Sequence, residues 1–118
     1  MDDRISNIEK SKAFALRIVR LYKYLREHKE SVIAKQVLRS GTSIGANIAE
    51  SRYAQSKADF ASKLQIALKE ASETEYWLGL LRDAELVESG IAFDSICDDC
   101  TELIKMLTAS VKTAKVEP

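Results

Sequence analysis

The sequence predicts an all-α protein, an antiparallel up-and-down four-helix bundle, and three observations carry that prediction. The single proline is Pro118 and the only glycines are Gly41, Gly45, Gly79 and Gly90, so few residues interrupt a helix. Apolar residues recur at steps of three and four along almost the whole chain. The breaks between these runs are short, which makes consecutive helices antiparallel neighbours. With 118 residues the chain reads as a single domain, 1–118, with room for one core.

The first helix is expected over roughly 8–28, with Phe14, Ile18, Leu21, Tyr22 and Leu25 on one face. Both "SNIE" and "SKAF" fit its start, and the first has the Ser-x-x-Glu form of a capping box. The second, over roughly 31–53, carries Ile33, Val37, Ser40, Ile44 and Ile48 inward. The third, over roughly 56–88, opens on the Ser-x-x-Asp of Ser56 to Asp59 and turns Phe60, Leu64, Ala67, Leu68, Ala71, Glu75 and Leu78 to one side. Gly90 suits a position just past its end. The fourth, over roughly 92–114, buries Phe93, Ile96, Cys97, Cys100, Leu103, Ile104, Leu107 and Val111.

The stretch "LRSGTSIGANIAES", residues 38–51, has the look of a phosphate loop. A Walker-type loop needs Gly-x-x-x-x-Gly-Lys-Ser/Thr after a strand, and here no lysine follows the glycines and no strand precedes them. The helical reading is preferred, although two glycines and several small polar residues make the segment poorer than an alanine helix by roughly 4 kcal/mol. Close helix packing at Gly41 and Gly45 is the expected compensation. Gln36, Arg39, Ser43, Asn47 and Glu50 form a polar stripe beside the inward Ser40, continued by Asp59, Glu73 and Glu75 of the third helix. Arg39 needs a carboxylate if it is buried, and Glu73 or Glu75 are the candidates.

Charge restricts the function classes. The 18 basic and 18 acidic side chains cancel, so no overall field draws the protein onto nucleic acid or an anionic membrane. Residues 1–40 carry 10 basic and 5 acidic side chains, leaving 8 basic and 13 acidic in the rest, an asymmetry that could join helices or subunits. Lys10, Arg17, Arg20 and Lys23 cover the outer face of the first helix and are the candidate nucleic-acid surface. Large apolar residues off the core faces, Leu16, Val19, Ile66, Trp77 and Leu80, are the candidate oligomer interface. No apolar run approaches the roughly 20 residues of a membrane span, and the acidic start is unlike a secretory signal, so a cytoplasmic protein is expected.

"LRSGTSIGANIAE" and "DFASKLQIALKEASETEYWLGLL" together resemble the bacterial family of four helix bundle proteins, also called 23S ribosomal RNA intervening-sequence proteins. The family pattern falls on Arg39, Ser40, Ser43, Ile44, Asn47, Ile48 and Glu50, then on Asp59, Phe60, Ile66, Ala67, Glu73, Tyr76, Trp77 and Leu78. Ser51 stands where many members have glycine. The resemblance implies an up-down bundle assembled into a homopentameric ring. Some genes of the family lie within sequences that interrupt ribosomal RNA genes. The fold is also similar to the accessory protein of diversity-generating retroelements, a basic pentamer that binds a reverse transcriptase and nucleic acid.

The resemblance brings no catalytic residues. Nor does the sequence supply them: no catalytic, cofactor or metal site is expected. The only histidine, His28, stands outside the Glu-x-x-His motif of di-iron bundles. Cys97 and Cys100 form a lone Cys-x-x-Cys that reads better as two small buried residues than as half a zinc site. The expected function is a homo-oligomeric binding or scaffold protein, with itself and RNA or a nucleic-acid-processing protein as partners. The alternative is a metal-dependent enzyme using carboxylates in the bundle.

Overall fold

The computed structural model describes residues 3–116, with side chains from Asn7 to Lys115. The ends of the 1–118 span lie outside the described residues. Four helices follow one another: α1 (Asp3–Glu27), α2 (Val32–Ser51), α3 (Lys57–Asp83) and α4 (Ile91–Val116). Each packs on its neighbours in the order α1, α2, α3, α4 and back to α1, with no close backbone approach across either diagonal among the described residues. The result is an elongated bundle of 48 × 22 × 21 Å, its long axis set by the 27 residues of α3.

The apolar periodicity is realised as a single core. Phe14, Ile18, Leu21 and Leu25 of α1 meet Val37, Ile44 and Ile48 of α2, Leu64, Leu78 and Leu81 of α3, and Phe93, Leu103, Leu107 and Val111 of α4. One inward position differs from expectation. Glu75 is exposed and Thr74 is buried instead, because α3 keeps its inward face at Ala67, Ala71, Thr74, Leu78 and Leu81, steps of four and three that pass over Glu75.

The helix ends carry further corrections. The α1 helix begins at Asp3, so Ser6 lies within it and not at its start; no breaker precedes Ser6 to stop the helix there. Ser56 does cap α3, its hydroxyl accepting from the Asp59 amide at 3.0 Å, while the Asp59 carboxylate accepts from the Gln55 amide at 3.1 Å. The α3 helix ends at Asp83, five residues before the expected 88. The Leu86 amide bonds to the Leu81 carbonyl and the Glu85 amide to the Arg82 carbonyl, a Schellman closure with Glu85 left-handed at φ 58°. It turns Leu86 back so that the side chain packs, half-buried, against the core. Gly90, with φ 155°, belongs to the start of α4, where its carbonyl accepts from the Asp94 amide.

The α1 helix ends by the same device, with Lys29 left-handed at φ 64° and the Glu30 amide on the Leu25 carbonyl at 2.8 Å. A left-handed non-glycine residue carries strain of about 1–2 kcal/mol. Glycine at 29 or at 85 should therefore stabilise the protein by roughly 0.5–1 kcal/mol each, after its extra unfolded-state freedom is deducted. Thermal unfolding of Lys29→Gly checks this, and a lowered Tm would contradict it.

Candidate functional site

The small polar residues of α2 use their own helix first. Thr42 donates to the Leu38 carbonyl at 2.7 Å, Ser43 to Arg39 at 2.6 Å, Asn47 to Ser43 at 2.9 Å and Ser51 to Ile48 at 2.6 Å. These groups donate within their own helix, and Ser43 and Asn47 therefore do not donate the interhelical links that a polar stripe suggests. The glycines face α1. A Cβ on Gly41 would stand 2.8 Å from Ile18 Cγ2, and one on Gly45 would stand 3.2 Å from Ser11 Oγ. The first is closer than real side-chain contacts come, and the second is tighter than most of them.

On the other side of α2 a polar seam joins it to α3. Arg39 bonds to Glu70 at 3.2 Å and to Glu73, and the Trp77 indole N–H donates to Glu73 at 2.9 Å. Arg39 remains about half exposed and Glu75 takes no part, so the expected alternative of Glu75 is replaced by Glu70. Glu70 lies one turn before Glu73, and that spacing was the signal available for it. The Trp77 hydrogen bond, and then Arg39, hold the Glu73 carboxyl below its usual range, while Glu73 raises the Arg39 guanidinium further.

Beneath the seam Ser40 and Thr74 are fully buried with their hydroxyls 2.8 Å apart, and Thr74 also reaches the Glu70 carbonyl at 2.7 Å. A hydroxyl has one proton, and the carbonyl can only accept; Thr74 therefore donates to Glu70 and Ser40 donates to Thr74. Thr74→Val should cost about 1–3 kcal/mol by leaving the Ser40 hydroxyl unpaired. Adding Ser40→Ala should restore part of that in chemical denaturation, and equal stability of the two variants would argue against the pairing.

The charge asymmetry is partly spent inside the subunit. Lys10 pairs with Glu102, and Arg17 bonds to Asp99 at 2.7 Å, to Ser95 at 3.0 Å and to the Ala92 carbonyl at 3.3 Å. These links staple α1 to α4. Two of the four cations proposed for an outer basic face are thus committed to α4, whereas Arg20 and Lys23 stay exposed with no ion pair among the described residues.

Carboxylates do not converge on a metal site. Glu50 lies 3.8 Å from Lys63, the Asp59 carboxylate accepts from the Gln55 amide, Glu73 holds Arg39 and Trp77, and Glu75 is exposed. Among the described residues no three His, Cys, Asp or Glu side chains come together in a cation-binding group. His28 stacks on Tyr24 with ring centroids 4.1 Å apart. Cys100 is buried, its thiol against the Ala71 carbonyl at 3.4 Å, and Cys97 is half-buried beside Arg82. Burial raises both thiols, Cys100 to about 12, so neither is an activated nucleophile.

Of the candidate interface residues, Leu16, Val19 and Ile66 are exposed, while Trp77 and Leu80 are half-buried. Tyr76, 64% exposed, meets Trp77 edge-on at 5.2 Å. No described helix is long and apolar enough to cross a membrane.

Four antiparallel helices around one apolar core, with further apolar side chains exposed on α1 and α3, define an all-α bundle protein. The chain belongs to the 23S rRNA-intervening sequence protein family, whose model matches residues 4–109. Among solved structures it is similar to a protein of unknown function from the S23 ribosomal protein family of Bacteroides thetaiotaomicron VPI-5482. The two are 54% identical with a TM-score of 0.89, over 94% of this chain and 99% of that one. No curated protein matches the chain.

Proposed function

We propose that the protein is a non-catalytic scaffold that assembles with copies of itself and presents the assembled surface to RNA or to a protein that works on nucleic acid. One observation supports it above the rest: apolar residues are exposed on two helices that are not neighbours in the bundle. Leu16, 52% exposed, and Val19, 39% exposed, lie among Lys12, Arg20 and Lys23 on α1; Ile66, 38% exposed, lies on α3 with the edge of Trp77. The two helices are diagonal in the bundle, so these faces look in opposite directions.

Joining the α1 face of one copy to the α3 face of the next is a head-to-tail contact, and such contacts close into rings or run on as filaments. A ring of five is the closure that the family resemblance implies. Trp77 suits an anchor because its indole is already fixed by Glu73, which limits the entropy lost on docking. Two free thiols accord with a reducing compartment such as the cytoplasm.

Native mass spectrometry of the purified protein tests the assembly, and a five-subunit mass is expected. Leu16→Asp and Ile66→Asp should each break it into monomers. Mixing those two variants should give a one-to-one dimer, since one intact face of each kind remains. A monomeric wild type, or a mixture that stays monomeric, would defeat this reading.

A further inference from the structure

The basic face expected on α1 is half neutralised, and the outer side of α3 carries a different feature. An open depression of about 610 Å³ lies where the end of α4 passes the first half of α3. Its floor is apolar, from Ala58, Ala61, Ile66 and Ala114, and its rim holds Lys57, Lys69 and Lys115 with Ser62 and Gln65. No carboxylate lines it. Lys69 and Lys115 are exposed and have no ion pair among the described residues.

Seven positions after Lys69, two turns and about 10 Å further along the same face, stands Tyr76. Its ring is the most exposed aromatic surface within the helices, and it is braced edge-on by Trp77, which Glu73 and Arg39 hold in turn. Surfaces that bind single strands combine these two elements, cations that follow the phosphates and an aromatic face on which a base stacks. The α1 face lacks the second: Tyr22 and Tyr24 are half-buried, beside Arg26 and His28.

We propose that a single strand of RNA lies along the outer side of α3, its phosphates on the lysine-rimmed depression and one base stacked on Tyr76. The proposal deepens the scaffold reading by naming a ligand and its site. Trp77 turns toward α2 and Arg39, whereas Lys69 and Tyr76 occupy the part of α3 away from that seam, so a second copy seated over Trp77 leaves the strand path open. Ile66 lies at the border between the two.

Recognition on this path is independent of sequence. Lysines, serine and glutamine contact phosphate and sugar, and a tyrosine face accepts any base. Binding should therefore weaken steeply with salt, by about 0.7 in the log–log slope for each phosphate neutralised.

The test is fluorescence anisotropy of a labelled mixed-sequence RNA dodecamer against the assembled protein, beginning near 50 mM salt and rising. Lys69→Gln with Lys115→Gln should weaken binding at least tenfold and flatten the salt slope by about 1.4. Tyr76→Ala should weaken it about 5- to 100-fold and Tyr76→Phe should retain it, while Arg20→Gln with Lys23→Gln, once native mass spectrometry shows the variant still assembled, should leave it unchanged. Equal affinity and slope in the lysine variant, a loss in the α1 variant instead, or no binding by the wild type would overturn the site. Pyrophosphate that competes as well as the dodecamer would overturn the strand path, since it would reduce the depression to an anion site. Native mass spectrometry of the same samples reports the assembly separately: an assembled protein without RNA affinity sinks the site alone, and a monomer that binds through the lysines sinks the scaffold alone.

Discussion

Replacing Gly41 with leucine should destabilise the protein by about 3 kcal/mol or more and lower its Tm by roughly 10 °C or more. The Cβ alone would stand 2.8 and 2.9 Å from Ile18 Cγ2 and Cγ1. Those atoms belong to a fully buried, β-branched side chain that has little freedom to move aside. Helix propensity favours the change by less than about 1 kcal/mol, so overpacking decides the sign. Gly79 provides the control. Nothing lies within 4 Å of its added Cβ, and Gly79→Ala should stabilise by about 1 kcal/mol through propensity alone. Ile18→Ala combined with Gly41→Leu should be less damaging than the sum of the two, because each change makes room for the other. Additive effects in that cycle, or a stable Gly41→Leu protein, would mean that α1 does not need the glycine.

The second large effect is alkaline. Burial raises the Cys100 thiol from its ordinary value near 9.0 to about 12 in the folded protein. The folded state therefore holds a proton that the unfolded chain releases above pH 9. Stability from this group is complete below pH 9 and is lost as pH rises toward 12, over three pH units worth about 4 kcal/mol in all. Other groups titrate in that range, so the readout is the difference between wild type and Cys100→Ala. Cys100→Ala should be the less stable of the two at pH 7, because it opens a cavity, and the gap should narrow steadily toward pH 12. A constant gap would mean that Cys100 ionises in the folded protein as it does in the unfolded one. The same burial predicts slow alkylation of Cys100 at pH 8 in the native state and rapid reaction on unfolding.

These two predictions rest on different depths of legibility. That Gly41 and Gly45 share a side of a helix follows from spacing, but the identity of what meets them does not. Ile18 and Ser11 are brought there by the crossing of α1 and α2, which spacing along one chain segment leaves open. Cys100 was readable as inward from its place in the apolar rhythm of α4. Its half-exposed neighbour Cys97 was not separable from it, since the two are three positions apart and the edge of a buried face shifts with packing.

The polar seam divides in the same way. Arg39 announced itself as a side chain in need of a carboxylate, yet the choice among Glu70, Glu73 and Glu75 depended on how α2 and α3 sit in rotation against one another. With Thr74 turned inward, Glu70 and Glu73 fall toward Arg39 and Glu75 away from it. A helical wheel gives directions relative to its own axis only. The α1 cations show the same limit: four basic residues on one outer face read alike, and only the placement of Glu102 and Asp99 on α4 distinguished Lys10 and Arg17 from Arg20 and Lys23.

What the sequence by itself determined is the number of helices, their inward faces and the short connections that make them antiparallel. Each of these is local: propensity, a repeat of three to four residues, and the scarcity of glycine and proline. The tertiary structure decided where α3 stops, which carboxylates Arg39 holds, how closely Gly41 lies to Ile18 and which surfaces stay open. Those depend on contacts between residues far apart in the chain, and a side chain's charge or size states what it needs without stating which neighbour supplies it.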